Sequence, residues 1–216
     1  QEKLLGSAQV ALVEKKSTIA TYNIHDQSIT AFIEYVPPPV SLVIIGAGND
    51  VLPLVALAET LGWEITVIDG RPALASKDRF SASCQVLVAR PEKVLEQVFI
   101  DPQTVFVLMT HNYNYDLAML KALVDTPVPY IGVLGPKRKL ERMLTEIEQG
   151  GMTLLPDQLN RVYGPMGLDL GAETAEEIAL SICAEIKAVL SGKNGRFLRE
   201  LTNPIHSPYH IQMPPK

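Results

Sequence analysis

Apolar residues in this chain gather in short runs separated by stretches of helical period. Five runs stand out, at residues 41–45, 64–68, 85–89, 105–109 and 130–134. A run that is apolar at most positions suits a parallel strand covered on both faces, since an exposed face would demand strict alternation. Residues 51–61 have helical periodicity and stop at Gly62, and a second helix is expected over about 115–124. A charged amphipathic helix follows Gly135. The last helix begins at Thr174, where Thr174 and Glu177 have capping-box spacing, and carries the stripe Ile178, Ile182, Ile186 and Val189. Strands alternating with crossover helices predict an α/β protein with a Rossmann-like, doubly wound parallel sheet.

The flanks read differently. Residues 19–35 form two β-rich runs around a polar turn at 23–28, a small N-terminal hairpin. Pro37, Pro38 and Pro39 then make a stiff connector, so boundaries are expected at 1–38, 39–200 and 201–216. Because the sequence opens at Gln1 with a helical pattern already under way, the first segment reads as the remnant of a preceding domain. The last segment, with Pro204, Pro208, Pro214 and Pro215, reads as an extended arm. An arm packed on a neighbouring copy makes a homodimer the expected state.

Composition narrows the function classes. The chain has 216 residues, 47% hydrophobic and 20% charged, which is an ordinary globular balance. No apolar run is long enough to cross a bilayer, so no membrane partner is expected. A formal charge of −5 argues against a broad nucleic-acid surface, which needs clustered cations. Two cysteines, Cys84 and Cys183, with no secretory segment before them, point to a reducing cytoplasm and buried thiols. The four histidines are scattered without ligand spacing, so no metal site is expected.

The candidate chemistry lies where strands end. Gly46-Ala47-Gly48 sits at the turn from the first parallel strand into its helix, where glycines admit a pyrophosphate. Asp69 follows Gly48 by 21 residues, at the position of an acid that hydrogen-bonds a ribose. Val51 replaces the third glycine, and Asp50 puts a negative charge in the first turn. The motif therefore reads either as a dinucleotide site or as a turn that kept its shape and lost its ligand. Arg71 would meet a 2′-phosphate or pair with a nearby acid. Thr110 and His111 follow the fourth run, and His111 with Asp116 reads as a proton-transfer pair or as a structural pair capping the helix. After Gly135 and Pro136 come Lys137, Arg138, Lys139 and Arg142. Cations oppose the dipole at a helix amino end, so an anion there would explain them. A solvated charged helix, relieved by Glu141 and Glu146, is the alternative.

Taken together, five stretches resemble the XdhC/CoxI family, accessory factors of xanthine dehydrogenase and related molybdenum hydroxylases. They are LVIIGAGND, VIDGRP with DRF downstream, VLMTHNYNYDLAML, YIGVLGPKRK and GPMGLDLGAETAEEIALSICAEI, in the family's order. The resemblance implies a maturation role, with the molybdenum cofactor (molybdopterin) as cargo delivered in sulfurated form to a xanthine dehydrogenase. It implies a cysteine desulfurase as a further partner and no turnover by this chain. NAD(P) or another nucleotide is the other ligand class. The expected binding residues are Gly46, Gly48, Asn49, Asp69, Arg71, Thr110, Gly135, Lys137 and Arg138, with His111 and Asp116 as the catalytic pair. This sequence has Asn49, Pro136 and Ala175 where the family usually has His, Ser and Pro. These departures bear on ligand binding rather than on the fold. An NAD(P)-dependent oxidoreductase and a non-catalytic interaction module are the alternatives.

Overall fold

The computed structural model describes residues 2–24, 27–202 and 210–212. The chain divides into two compact units, residues 1–38 with 197–216, and residues 39–196.

The first unit contains helix α1 (Glu2–Glu14) and strands β1 (Thr18–Ile24) and β2 (Gln27–Ile33). The strands pair antiparallel from Thr18↔Ile33 to Ile24↔Gln27. A third strand, β9 (His210–Gln212), adds in parallel on the other side of β1. This short strand lies in the segment expected to be an extended arm. Residues 203–209 and 213–216 of that arm, and the tip of the hairpin, lie outside the described residues.

The second unit holds a six-stranded parallel sheet. Its strands are β3 (Ser41–Ile45), β4 (Glu64–Asp69), β5 (Gln85–Val88), β6 (Thr104–Leu108), β7 (Ile131–Val133) and β8 (Val162–Tyr163). They lie in the order β5-β4-β3-β6-β7-β8, so the winding direction reverses between β3 and β6. The first five correspond to the apolar runs. The sixth has only two residues and pairs with β7, a feature too short to leave a periodic signal.

Burial on both faces explains why these strands are apolar throughout. Leu42 and Ile44 face one core, with Val105 and Val107, while Val43 and Ile45 face the other with Phe106 and Leu108. The first core is covered by α2 (Val51–Thr60) and α7 (Ala175–Leu190), through Leu54, Ala58, Ile182 and Ile186. The second is covered by the short α3 (Pro91–Val94), α4 (Tyr113–Leu123) and α5 (Lys137–Gln149), through Val94, Leu120, Leu123, Met143 and Ile147. A further short helix, α6 (Pro156–Leu159), precedes β8. Right-handed crossovers on either side of the reversal require helices on opposite faces, and that is the observed layering. Helix α7 starts at the capping box of Thr174 and Glu177.

Candidate functional site

The register brings the chemistry-bearing residues together. Ile45 pairs with Ile68 and with Leu108, so Gly46, Asp69 and Met109 lie at one level at the carboxyl ends of their strands. In open parallel sheets, ligands bind outside these carboxyl ends at the reversal point.

Gly46 has φ +123°, and a Cβ there would collide with the Met109 carbonyl. Only glycine lets the β3 turn pass so close to β6. The turn is then tied down by the chain itself. Ala47 donates its amide to Asp69 Oδ2 at 2.9 Å. Arg71 donates its amide and Nε to Asp69 Oδ1, both at 2.9 Å, and Nη2 to Oδ2 at 2.7 Å. Burial pushes the Asp69 carboxyl up, but these donors outweigh it and hold the group below the ordinary carboxylate range. The expected alternative of a salt bridge between Arg71 and a nearby acid is the one that forms, and Asp69 is engaged by its own chain. Arg71 remains about half exposed and also donates to the Thr110 carbonyl at 3.3 Å.

Arg79, from the DRF stretch, closes the far side of the turn. Its Nη1 donates to the Ala47 carbonyl at 2.5 Å and to the Leu74 carbonyl at 2.6 Å, and its Nη2 to Asn49 Oδ1 at 2.8 Å. Asn49 thus orients an arginine. Val51 is fully buried in the core, so the third-glycine position serves packing.

The pair expected between His111 and Asp116 does not form. His111 adopts a left-handed φ of +55°, and its Nε2 lies 2.8 Å from Asp50 Oδ2 at the start of α2. A non-glycine residue in that region is strained backbone, of the kind that concentrates at functional sites. Asp116 sits on the inner face of α4 with no exposed surface. It accepts from Thr110 Oγ1 at 2.6 Å and from Lys139 Nζ at 2.7 Å. The cap of α4 is Asn112, which accepts from the Tyr115 amide at 3.2 Å. The left-handed turn directs the histidine toward α2 while the helix turns the aspartate inward.

Lys139 is the cation of α5 that enters the site, and its Nζ also donates to the Leu134 carbonyl at 2.9 Å. It shares a helical stripe with the buried Met143 and Ile147, a spacing visible in the sequence. Gly135 makes room for it, since a Cβ there would lie 3.1 Å from Lys139 Cδ. Lys137 and Arg138 instead face solvent, with Lys137 only 3.9 Å from Glu141 one turn on. Tyr115 packs against Gly70 and donates to the Ala89 carbonyl at 2.8 Å. Burial, with Asp69, Glu92 and Asp116 nearby, pushes its phenol up to about 12.

Beside the turn lies a pocket of about 120 Å³ lined by Asp50, Leu54, Met109, Leu134, Ala175, Ile178, Ala179 and Ile182. The glycine loop before α7 is moored rather than open. Gly167 donates its amide to Glu185 at 2.9 Å, Tyr130 donates to the same carboxylate at 2.5 Å, and Ser181 donates to the Leu168 carbonyl at 2.6 Å. Cys84 and Cys183 are buried, and burial first of all pushes each thiol up to about 11. Neither is poised as a thiolate at neutral pH.

The Ala47 amide and the Asp69 carboxylate, which the motif would offer to the pyrophosphate and ribose of a nicotinamide dinucleotide, are bound to each other in this geometry. A Cβ on Gly48 would strike Asp50 Oδ1, so a carboxylate lies over the glycine where a phosphate would approach. What the tips offer outward is the Arg71 guanidinium, the His111 imidazole and the pocket beside Asp50.

Fold and site define a Rossmann-type α/β protein whose reversal-point crevice is lined by its own ion pairs. The chain belongs to the XdhC family, since residues 42–186 match the XdhC Rossmann domain. It is 33% identical over 177 residues to a probable xanthine dehydrogenase subunit from Bacillus subtilis (strain 168), covering 81% of this chain and 51% of that one. It is 27% identical over 152 residues to the "Molybdenum cofactor insertion chaperone PaoD" of Escherichia coli (strain K12), covering 70% and 41%. A crystal structure described as a xanthine dehydrogenase from Bacillus halodurans superposes with a TM-score of 0.64 at 31% identity, covering 76% of this chain and 47% of that one. The chain thus spans about half the length, or less, of these relatives. No helix among the described residues is long and apolar enough to cross a membrane.

Proposed function

We propose that this chain is part of a maturation factor that holds the molybdenum cofactor, a phosphorylated pterin, at the reversal point and passes it to a xanthine dehydrogenase-type apoenzyme. In this reading the chain performs no turnover of its own. The observation that carries it is the state of the glycine turn. The contacts a dinucleotide would use are taken by Asp69, Arg71 and Asp50, while the Arg71 guanidinium stays half exposed beside the β6 tip. Asp69 takes the Nε and Nη2 donors of that guanidinium, which leaves Nη1 as the charged donor for a phosphate monoester. The name of the Escherichia coli relative, an insertion chaperone for this cofactor, supports the same cargo. With both thiols buried and protonated at neutral pH, the sulfur of a sulfurated cofactor comes from a separate desulfurase rather than from a cysteine of this chain.

Anaerobic calorimetric titration with isolated molybdenum cofactor, NAD and NADP tests the reading. Binding of the molybdenum cofactor, with no heat from either nicotinamide nucleotide, is expected. Tight binding of a nicotinamide nucleotide alone would overturn it.

A further inference from the structure

We infer that the pocket beside Asp50 seats a 2-amino-4-oxopyrimidine ring, the head of a pterin, with the Asp50 carboxylate receiving its amino and ring N–H donors. The inference rests on the function proposed above and names the part of the ligand that enters this pocket. At about 120 Å³ the space is well below the 300 Å³ or more of sites that bury a drug-sized ligand, so it takes a ring system rather than a whole nucleotide. Seven of its eight lining residues are apolar, and the one charged group is Asp50, whose carboxylate lies over Gly48 and beside His111. A single carboxylate in an apolar wall selects a planar ligand with two adjacent N–H donors on one edge, because two parallel bonds satisfy both oxygens. The amino group and neighbouring ring N–H of a 2-amino-4-oxopyrimidine have that spacing.

Asp50 is free to play this part. It occupies the N-cap position of α2, yet its side chain makes no capping bond. Among the described residues, Oδ1 accepts no hydrogen bond, and Oδ2 is held only by His111, whose ring is 63% exposed at the rim. Binding exchanges the histidine for the ligand edge at Oδ2. The same carboxylate repels a phosphate from the glycine turn, so the ligand enters ring first. Its anionic end is left near Arg71, which reaches the carbonyl of Thr110, the residue before His111.

The test is fluorescence titration of the whole chain with 6-hydroxymethylpterin, lumazine (which lacks the 2-amino group) and guanosine (which carries the same edge on a purine). Three proteins are compared: the native chain, Asp50→Asn and the pocket-filling Ala175→Leu, each checked for an unchanged far-ultraviolet spectrum. The pterin should bind the native chain, lumazine at least about tenfold more weakly, and each variant should lose about tenfold or more. Equal binding of pterin by native chain and Asp50→Asn, or equal binding of pterin and lumazine, would overturn the inference. Guanosine binding as tightly as the pterin would overturn the pterin assignment. If the complete molybdenum cofactor binds and Asp50→Asn leaves that affinity unchanged, the pocket is wrong but the proposed function stands. If neither pterin nor complete cofactor binds, both fail.

Discussion

Asp116 and Lys139 meet at 2.7 Å beneath the tips of β6 and β7, and the carboxylate has no surface exposed to solvent. Thr110 Oγ1 and the Leu134 carbonyl complete the cluster, so one buried charge pair joins β6, α4, β7 and α5. Removing one member leaves an uncompensated buried charge, which costs far more than the pair is worth net. Lys139→Met should lower unfolding stability by about 3 kcal/mol. Adding Asp116→Asn to that variant should restore part of the loss, because the stranded charge is gone. Urea denaturation of both single variants and the double variant measures this, and strictly additive losses would deny the coupling.

Asp69 gives stability a pH dependence of definite sign. Its folded-state pKa is depressed, so its contribution is full above the unfolded value of about 3.9 and is lost as pH falls through the lower folded value. Asp69→Asn lacks that contribution at every pH. The gap in urea midpoint between native chain and variant should therefore be widest near pH 6 and narrow below about pH 4. A gap that stays constant down to pH 3 would place the stabilisation in the geometry of the turn rather than in the charge.

Two glycines separate backbone conformation from steric clash. Gly62 has φ +71° with nothing near a Cβ, so Gly62→Ala should cost only about 1 kcal/mol. Gly46 also has positive φ, but a Cβ there meets the Met109 backbone. Gly46→Ala should prevent β3 and β6 from pairing and yield insoluble protein. Soluble yield and thermal midpoints of the two variants check this.

The exposed cations of α5 are expected to act on an anionic ligand through the field alone. Lys137→Ala with Arg138→Ala should weaken binding of the molybdenum cofactor about fivefold or less, an effect gone by about 0.5 M salt. Arg71→Lys keeps a charge but loses the planar fork, and should weaken binding more than the double variant at every salt concentration. Titrations at low and high ionic strength distinguish the two behaviours.

Much of this fold is readable from the sequence because parallel strands buried on both faces are written as apolar runs. Residues 42–45 and 105–108 alternate between two cores rather than between core and solvent. Strands β8 and β9 leave no such trace, since their two and three residues pair only because neighbouring strands present an open edge. In the site, the pairing of Asp69 with Arg71 is local, two residues apart at one strand tip, and is legible. The pairing of Asp50 with His111 spans 61 positions and depends on β3 lying next to β6, which periodicity cannot supply. Lys139 is an easier case, because its stripe with Met143 and Ile147 marks it as the inward cation among its neighbours.

Thr18, which precedes the parallel sheet in the sequence, is partnered in parallel by His210, which follows it. On a ribosome the hairpin of β1 and β2 emerges before that sheet, and β9 can join it only once the segment beyond the sheet has been made. Because the entropic cost of closing a loop grows only with the logarithm of its length, β9 can still find its place late. The order of synthesis therefore favours a β3–β8 sheet that is already folded when the first unit gains its third strand.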